Sequence, residues 1–93
     1  MTLSIKHDKE NQQFTATVEG KTAVLKYSSP DENTLDYYHT FVPPDLRGRH
    51  IGQDLVKFAL DFALENNYTI IPSCPFVEQF IKRHPEYKKI IGE

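Results

Sequence analysis

The sequence predicts an α+β fold: an antiparallel four-stranded meander, then a helix, a parallel strand and a second helix. Three features point there. Apolar residues alternate with a period of two as far as Phe41, they recur at helical spacing from Ile51, and the short run YTII follows the helical segment.

In the first strand Leu3, Ile5 and His7 share a face, and in the second Phe14, Ala16 and Val18 do. Ala23, Leu25 and Tyr27 repeat the pattern in a third strand, and Leu35, Tyr37, His39 and Phe41 in a fourth. Between these runs DKENQ, EGK and SPDEN carry turn chemistry. Ile51, Leu55, Phe58, Ala59 and Phe62 then recur every three or four residues, with Asp54, Lys57, Asp61 and Glu65 opposite. Val56, Leu60, Ala63 and Leu64 widen the apolar arc to about half the circumference, as for a helix held between a sheet and another element. ENN ends that helix, and YTII forms a short strand. Pro75 suits the first turn of a second helix through Phe76, Val77, Phe80 and Ile81, which HP stops. EYKKII is one more turn or a tail. The strand–helix–strand order makes the fourth strand and YTII parallel neighbours through a right-handed crossover. The junction RGRHIG, Arg47 to Gly52, therefore lies at the carboxyl end of a strand and the amino end of a helix, where open sheets bind ligands.

The 93 residues suffice for one domain, residues 1–93, whose core needs no cross-links. With 39% hydrophobic and 26% charged residues the chain has a globular rather than a disordered composition. A formal net charge of -2 and a pI near 6.1 argue against a nucleic-acid binder, so any anion site has to be local. MTLSIKHDKE places charges where a signal peptide would be apolar, and no stretch suits a membrane span. The single cysteine, Cys74, makes no internal disulfide and excludes a multi-cysteine zinc site. A cytoplasmic protein without a metal centre or membrane partner is expected.

At RGRHIG the free N–H groups of a helix start and the helix dipole favour an anion, glycine permits close backbone approach, and Arg47 and Arg49 add charge. Neither G-x-x-x-x-G-K-S/T nor G-x-G-x-x-G is present, and the same residues also suit a plain strand-to-helix turn with solvated arginines. VPPDLRGRHIGQDLV resembles the acetyl-CoA signature of the GNAT N-acetyltransferase superfamily, Q/R-x-x-G-x-G/A, with Arg47 first and Gly52 last. His50 stands where that family usually has glycine. The resemblance continues through HTFVPPDLRG and PSCPFVEQFIKRHPEY, which match the short single-domain branch that carries a cysteine, and it covers Tyr37 to Tyr87. It implies an acyl-CoA N-acyltransferase (GNAT-like) fold and acetyl-CoA or coenzyme A as cofactor. The pyrophosphate is then expected at Arg47, Gly48, Arg49, His50, Ile51 and Gly52, and the pantetheine along the backbone of Phe41 and Val42.

Amide formation from a thioester needs a neutral amine, a stabilised oxyanion and a departing thiolate, of which the last is the least demanding. Cys74 ends the YTII segment and precedes the last helix, a setting that suits a nucleophile and equally a small buried side chain. His84 lies ten residues further along that helix, roughly 15 Å of rise, and cannot reach Cys74. His39 is the better-placed base, because the fourth strand adjoins YTII, although it also reads as a packed strand histidine. Glu78, one turn from Cys74, is a second candidate. Together these readings describe an acetyl-CoA-dependent N-acyltransferase with Cys74 and His39 at the reaction centre. Its acceptor would be an amine of a small molecule or a protein, and its state a monomer or weak homodimer. The chain stops soon after the last helix, so the acceptor site is expected to be completed by a macromolecular substrate or a second subunit. A coenzyme A-binding protein without turnover and an interaction module that keeps only the fold are the competing readings.

Overall fold

The computed structural model describes residues 4–92, so Leu3, expected in the first strand, lies outside the described residues. Strands β1 (Ser4–Asp8), β2 (Gln13–Val18), β3 (Lys21–Asp31) and β4 (Thr34–Phe41) pair antiparallel in chain order, and β5 (Thr69–Ile71) pairs parallel with β4. This is the α+β arrangement expected from the sequence. Its turns follow from local chemistry. Glu19 and Gly20, at φ 52° and 79°, form the two-residue left-handed turn that matches the twist of a hairpin. Asp31 closes the next turn by accepting from Asn33 N–H (2.8 Å) and the Thr34 hydroxyl (3.1 Å). Pro30 sits in an irregular stretch of the β3–β4 register, where its missing N–H leaves no ladder bond unmade.

Helix α1 (Ile51–Glu65) covers one face of the sheet. Phe14, Ala16, Ala23, Leu25 and Tyr37 on that face and Leu55, Val56, Ala59, Leu60 and Ala63 of the helix are wholly buried. Each such Leu or Val stabilises the fold by about 1.5–3 kcal/mol relative to exposure. Tyr37 satisfies its hydroxyl inside this core by donating to the Ala59 carbonyl at 2.7 Å. Phe58, expected on the buried stripe, lies at its margin and is 39% exposed. The other face of the sheet exposes Lys6, Thr17, Thr22, Lys26 and Ser28, a one-sided burial that antiparallel strands tolerate.

Helix α2 (Pro75–Arg83) starts at Pro75 as predicted and is followed by a 3-10 helix over Pro85–Ile90. EYKKII is thus a turn that also returns to the sheet. Ile91 bridges to Ile70 of β5, and Gly92 N–H donates to the Ile70 carbonyl at 2.8 Å. Tyr87 is buried and its hydroxyl donates to Asp61 of α1 at 2.6 Å, which ties the carboxyl-terminal turn to the main helix.

The fourth strand departs from the expected alternation. Tyr27 pairs with Tyr37, but Lys26 pairs with His39, so Tyr38 is an extra residue and forms a β-bulge. Past the bulge the faces exchange. Thr40 lies opposite buried Leu25, while His39 lies opposite exposed Lys26 and Phe41 opposite Val24. Leu35 and Tyr37 therefore do not share a face with His39 and Phe41.

Candidate functional site

Strand β4 outruns β5. Their pairing ends at Asp36 and Ile71, and β4 continues to Phe41 with no strand on that edge among the described residues. The chain leaves β5 through Pro72 and Ser73, and the Cys74 N–H then donates to the Tyr37 carbonyl at 2.9 Å. Cys74 is the residue before α2, and Pro75 takes the first helical position, where a missing N–H costs nothing. The two elements thus part as a wedge, with the bulged end of β4 on one side and the start of α2 on the other. Thr40 and Cys74 meet across it, Sγ to Oγ1 at 3.5 Å, and Cys74 is 6% exposed.

The histidine and carboxylate considered as bases for Cys74 are elsewhere. The bulge turns His39 to the open sheet face, and the hydrogen-bond partner of Cys74 Sγ is Thr40. Glu78 is exposed and pairs with Lys82 at 3.7 Å. His84 caps the far end of α2 and stacks on Phe80, with ring centroids 4.2 Å apart.

The loop from Val42 to His50 is built by its prolines and by one buried leucine. Pro44–Leu46 form a 3-10 turn, Leu46 is fully buried, and Arg47 Nε donates to the Val42 carbonyl at 3.0 Å. That bond folds Arg47 back along the end of β4. Arg49 points the other way, to Glu19 of the β2–β3 turn at 3.1 Å. Gly48 and His50 both hold left-handed backbone, at φ 80° and 61°. His50 is the residue before α1, and its Nδ1–H donates to Gln53 Oε1 at 3.2 Å. The first intrahelical bond of α1 runs from Asp54 N–H to the His50 carbonyl, so Ile51, Gly52 and Gln53 precede it. A Cβ on Gly52 would come within 3.1 Å of both Phe76 and Val42, so glycine is what lets the helix start pack this closely.

Three adjoining clefts surround Phe76, whose ring is 39% exposed. One of about 300 Å³ lies at the wedge, between Thr40, Phe41, Val42 and Arg47. The second, of about 230 Å³, lies at the start of α1 and is lined by Arg47, Gly48, His50, Ile51, Gly52 and Gln53 together with Val42 and Leu46. The third, of about 370 Å³, runs along α2 past Gln53, Gln79 and Phe80 to Arg83 and His84. No aspartate or glutamate lines any of them, although the chain carries 13 acidic residues against 11 lysines and arginines. A carboxylate-free groove with cationic walls in an acidic protein favours an anionic ligand.

Of the residues singled out from the sequence, the structure brings Phe41, Val42, Arg47, Gly48, His50, Ile51 and Gly52 to these clefts, and places Arg49, His39 and Cys74 outside their walls, with buried Cys74 behind the wall residue Thr40. Thr40, Gln53 and Phe76 were not anticipated. Phe76 carried a sequence signal, since an aromatic in the first turn of α2 falls off the buried stripe of Val77, Phe80 and Ile81. Thr40 carried none, because the bulge that turns it inward leaves no trace in composition.

The sequence pattern of the family described as GCN5-related N-acetyl-transferase matches residues 13–90. Protein NATD1 of Danio rerio is 37% identical over 89 residues, which span 91% of this chain and 81% of that protein. Protein NATD1 of Homo sapiens is 34% identical over 85 residues, spanning 89% and 75%. The NMR solution structure of a GCN5-like protein from Staphylococcus aureus superposes with a TM-score of 0.75 at 29% identity, over 97% of this chain and 88% of the other.

Proposed function

The chain belongs to the GCN5-related N-acetyltransferase family, and from that premise we propose that it transfers an acetyl group from acetyl-CoA to an amine. The observation that carries this reading is the carboxylate-free groove joining the Thr40–Cys74 wedge to the start of α1. The fit to coenzyme A rests on that start. Gly52 leaves a cradle that a Cβ would fill, the N–H groups of Ile51, Gly52 and Gln53 precede the helical ladder, and Arg47 stands beside them. Oriented N–H groups and a helix dipole suit a pyrophosphate. The unpaired edge of β4 beside Phe41 and Val42 offers backbone partners for the amides of a pantetheine arm.

Bound there, the thioester supplies an activated acetyl group. The new C–N bond forms as the C–S bond breaks, the sulfur leaves with the electron pair, and the proton lost by the amine balances the one gained by the thiol. The residues of this chain hold the reactants together, a contribution that does not depend on a strong base. Thr40 and Cys74 place one hydroxyl and one thiol at the wedge. The thiol's partner is a neutral hydroxyl rather than an imidazole or a carboxylate, which supports direct transfer over an acetylated Cys74.

Incubation with acetyl-CoA in the absence of amine, followed by intact-mass analysis, separates the two routes. Direct transfer predicts no stoichiometric acetyl mass on Cys74, and measurable amine-dependent coenzyme A release by Cys74→Ala. One acetyl group on Cys74 together with loss of turnover in Cys74→Ala would replace this reading with a covalent one. Failure to consume acetyl-CoA across a broad set of amines and peptides would remove the activity.

A further inference from the structure

Asp36 takes no part in the site described above. It lies on β4 between Ser28 of β3 and Ile71 of β5, and it alternates with buried Leu35 and Tyr37, so its side chain is on the sheet face opposite α1. Its Oδ1 is the one buried side-chain nitrogen or oxygen without a hydrogen-bond partner among the described residues. No cation lies within ion-pair distance of the carboxylate among those residues, and Lys26, two residues from Ser28 along β3, makes no ion pair with it. Burying part of an unpaired carboxylate is costly and aspartate is disfavoured in strands, so neither the sheet nor the core accounts for this residue. Asp36 as a whole is only half-buried, which leaves the carboxylate open to a cation from solvent.

Its position connects it to the wedge. Asp36 and Ile71 form the last β4–β5 pair before the two elements part, and the next residue, Tyr37, accepts the Cys74 N–H. Thr40 is four residues further along β4, at most about 13 Å away at the rise of a strand. Beyond the bulge Phe41 shares the open face with Asp36 and also lines the wedge cleft, so the wedge opens on that face as well. The clefts on the α1 and α2 side have cationic walls and no carboxylate, which disfavours the approach of a cationic amine from there. The nitrogen that attacks a thioester has to be neutral, so the charge that meets Asp36 is a second one on the same molecule. Both edges of β4 are paired at Asp36, which leaves a peptide backbone no ladder group to join and favours a flexible alkyl chain.

We propose that the acceptor is a small polyamine that reaches the wedge across the open sheet face, with Asp36 holding an ammonium other than the nitrogen that is acetylated. The proposal rests on the acetyl-transfer reading above and adds to it an acceptor class and the residue that selects it.

Coenzyme A release from acetyl-CoA by the full chain, with spermidine and with the monoamine n-butylamine, tests it. The wild-type protein should use spermidine with a kcat/KM roughly tenfold above that for butylamine, as expected for one charge-assisted contact. Asp36→Asn should bring the ratio near one through a rise in KM for spermidine, with the calorimetric affinity for coenzyme A unchanged. Ser28→Lys, which supplies a cation from the paired position on β3, should remove the preference in the same way. Equal use of the two amines by the wild type, or a preference that survives in Asp36→Asn, would overturn the role of Asp36 and leave acetyl transfer standing. No release with spermidine would overturn the polyamine acceptor; release with another amine would then keep acetyl transfer, and release with none would remove both.

Discussion

Gly48, His50 and Gly52 stand close together at the start of α1 for three different physical reasons. Gly48 has open space around it, so only its φ of 80° selects glycine. His50 adopts φ 61° with a full side chain, which costs about 1 kcal/mol and marks the position where the related pattern has glycine. Its bond to Gln53 offsets part of that cost. Gly52 has ordinary helical backbone, and its size is set by Phe76 and Val42 at 3.1 Å. The side chains that a Gly52→Ala methyl would push are thus walls of the groove. Arg49, by contrast, makes an exposed pair with Glu19 that contributes at most about 1 kcal/mol to stability. Gly52→Ala is therefore expected to weaken coenzyme A binding by about tenfold, and Arg49→Ala by less than twofold, with the folds of both verified by circular dichroism. A larger loss in Arg49→Ala would make side-chain charge, not close packing of the helix start, the basis of binding.

Strand β1 is fastened to α1 by an aromatic cluster with a titratable member. His7 stacks on Phe14 at 4.4 Å, meets Phe62 edge-on at 4.5 Å and hydrogen-bonds the Tyr27 hydroxyl. Burial, helped by the Lys9 charge and opposed by Asp8, holds its pKa below the usual imidazole value of 6.5. Folding thus favours neutral His7, so its contribution is complete above pH 6.5 and is lost as pH falls through the lowered folded-state value. The melting temperature should drop on acidification below pH 6.5, and His7→Phe, which keeps the stacking, should reduce the slope of that drop. An identical slope in the variant would place the acid sensitivity elsewhere. Asp61, next to Phe62 on the same helix, also has a lowered pKa, for a different reason. Burial would raise its pKa, but hydrogen bonds from Tyr87 and Lys57 outweigh it and leave it lowered. The strands and both helices were legible because their buried faces repeat with fixed periods. The bulge at Tyr38 was not, since Tyr, His, Thr and Phe all suit a strand and an inserted residue leaves the run intact. That one residue exchanged His39 for Thr40 beside Cys74.

Across the whole molecule, the groove brings together segments distant in sequence: the end of β4, the loop before α1, and the length of α2. Its middle was readable as RGRHIG, because a glycine-rich helix start with basic residues is a local pattern. The relation of Phe76 and Arg83 to that start was not, because it arises only when α2 packs beside α1. The freedom of the groove from carboxylates is likewise a property of the folded surface, invisible in a net charge of -2. Selective binding of coenzyme A by this groove is the claim on which the proposed activity depends. A ligand that binds only the folded state stabilises it in proportion to the logarithm of its concentration above Kd. The most direct test is the melting temperature of the full chain against coenzyme A over a thousandfold concentration range, with ATP and NAD in parallel. A progressive rise with coenzyme A that neither ATP nor NAD reproduces is the predicted result; a flat response to coenzyme A, or an equal response to all three, would contradict it.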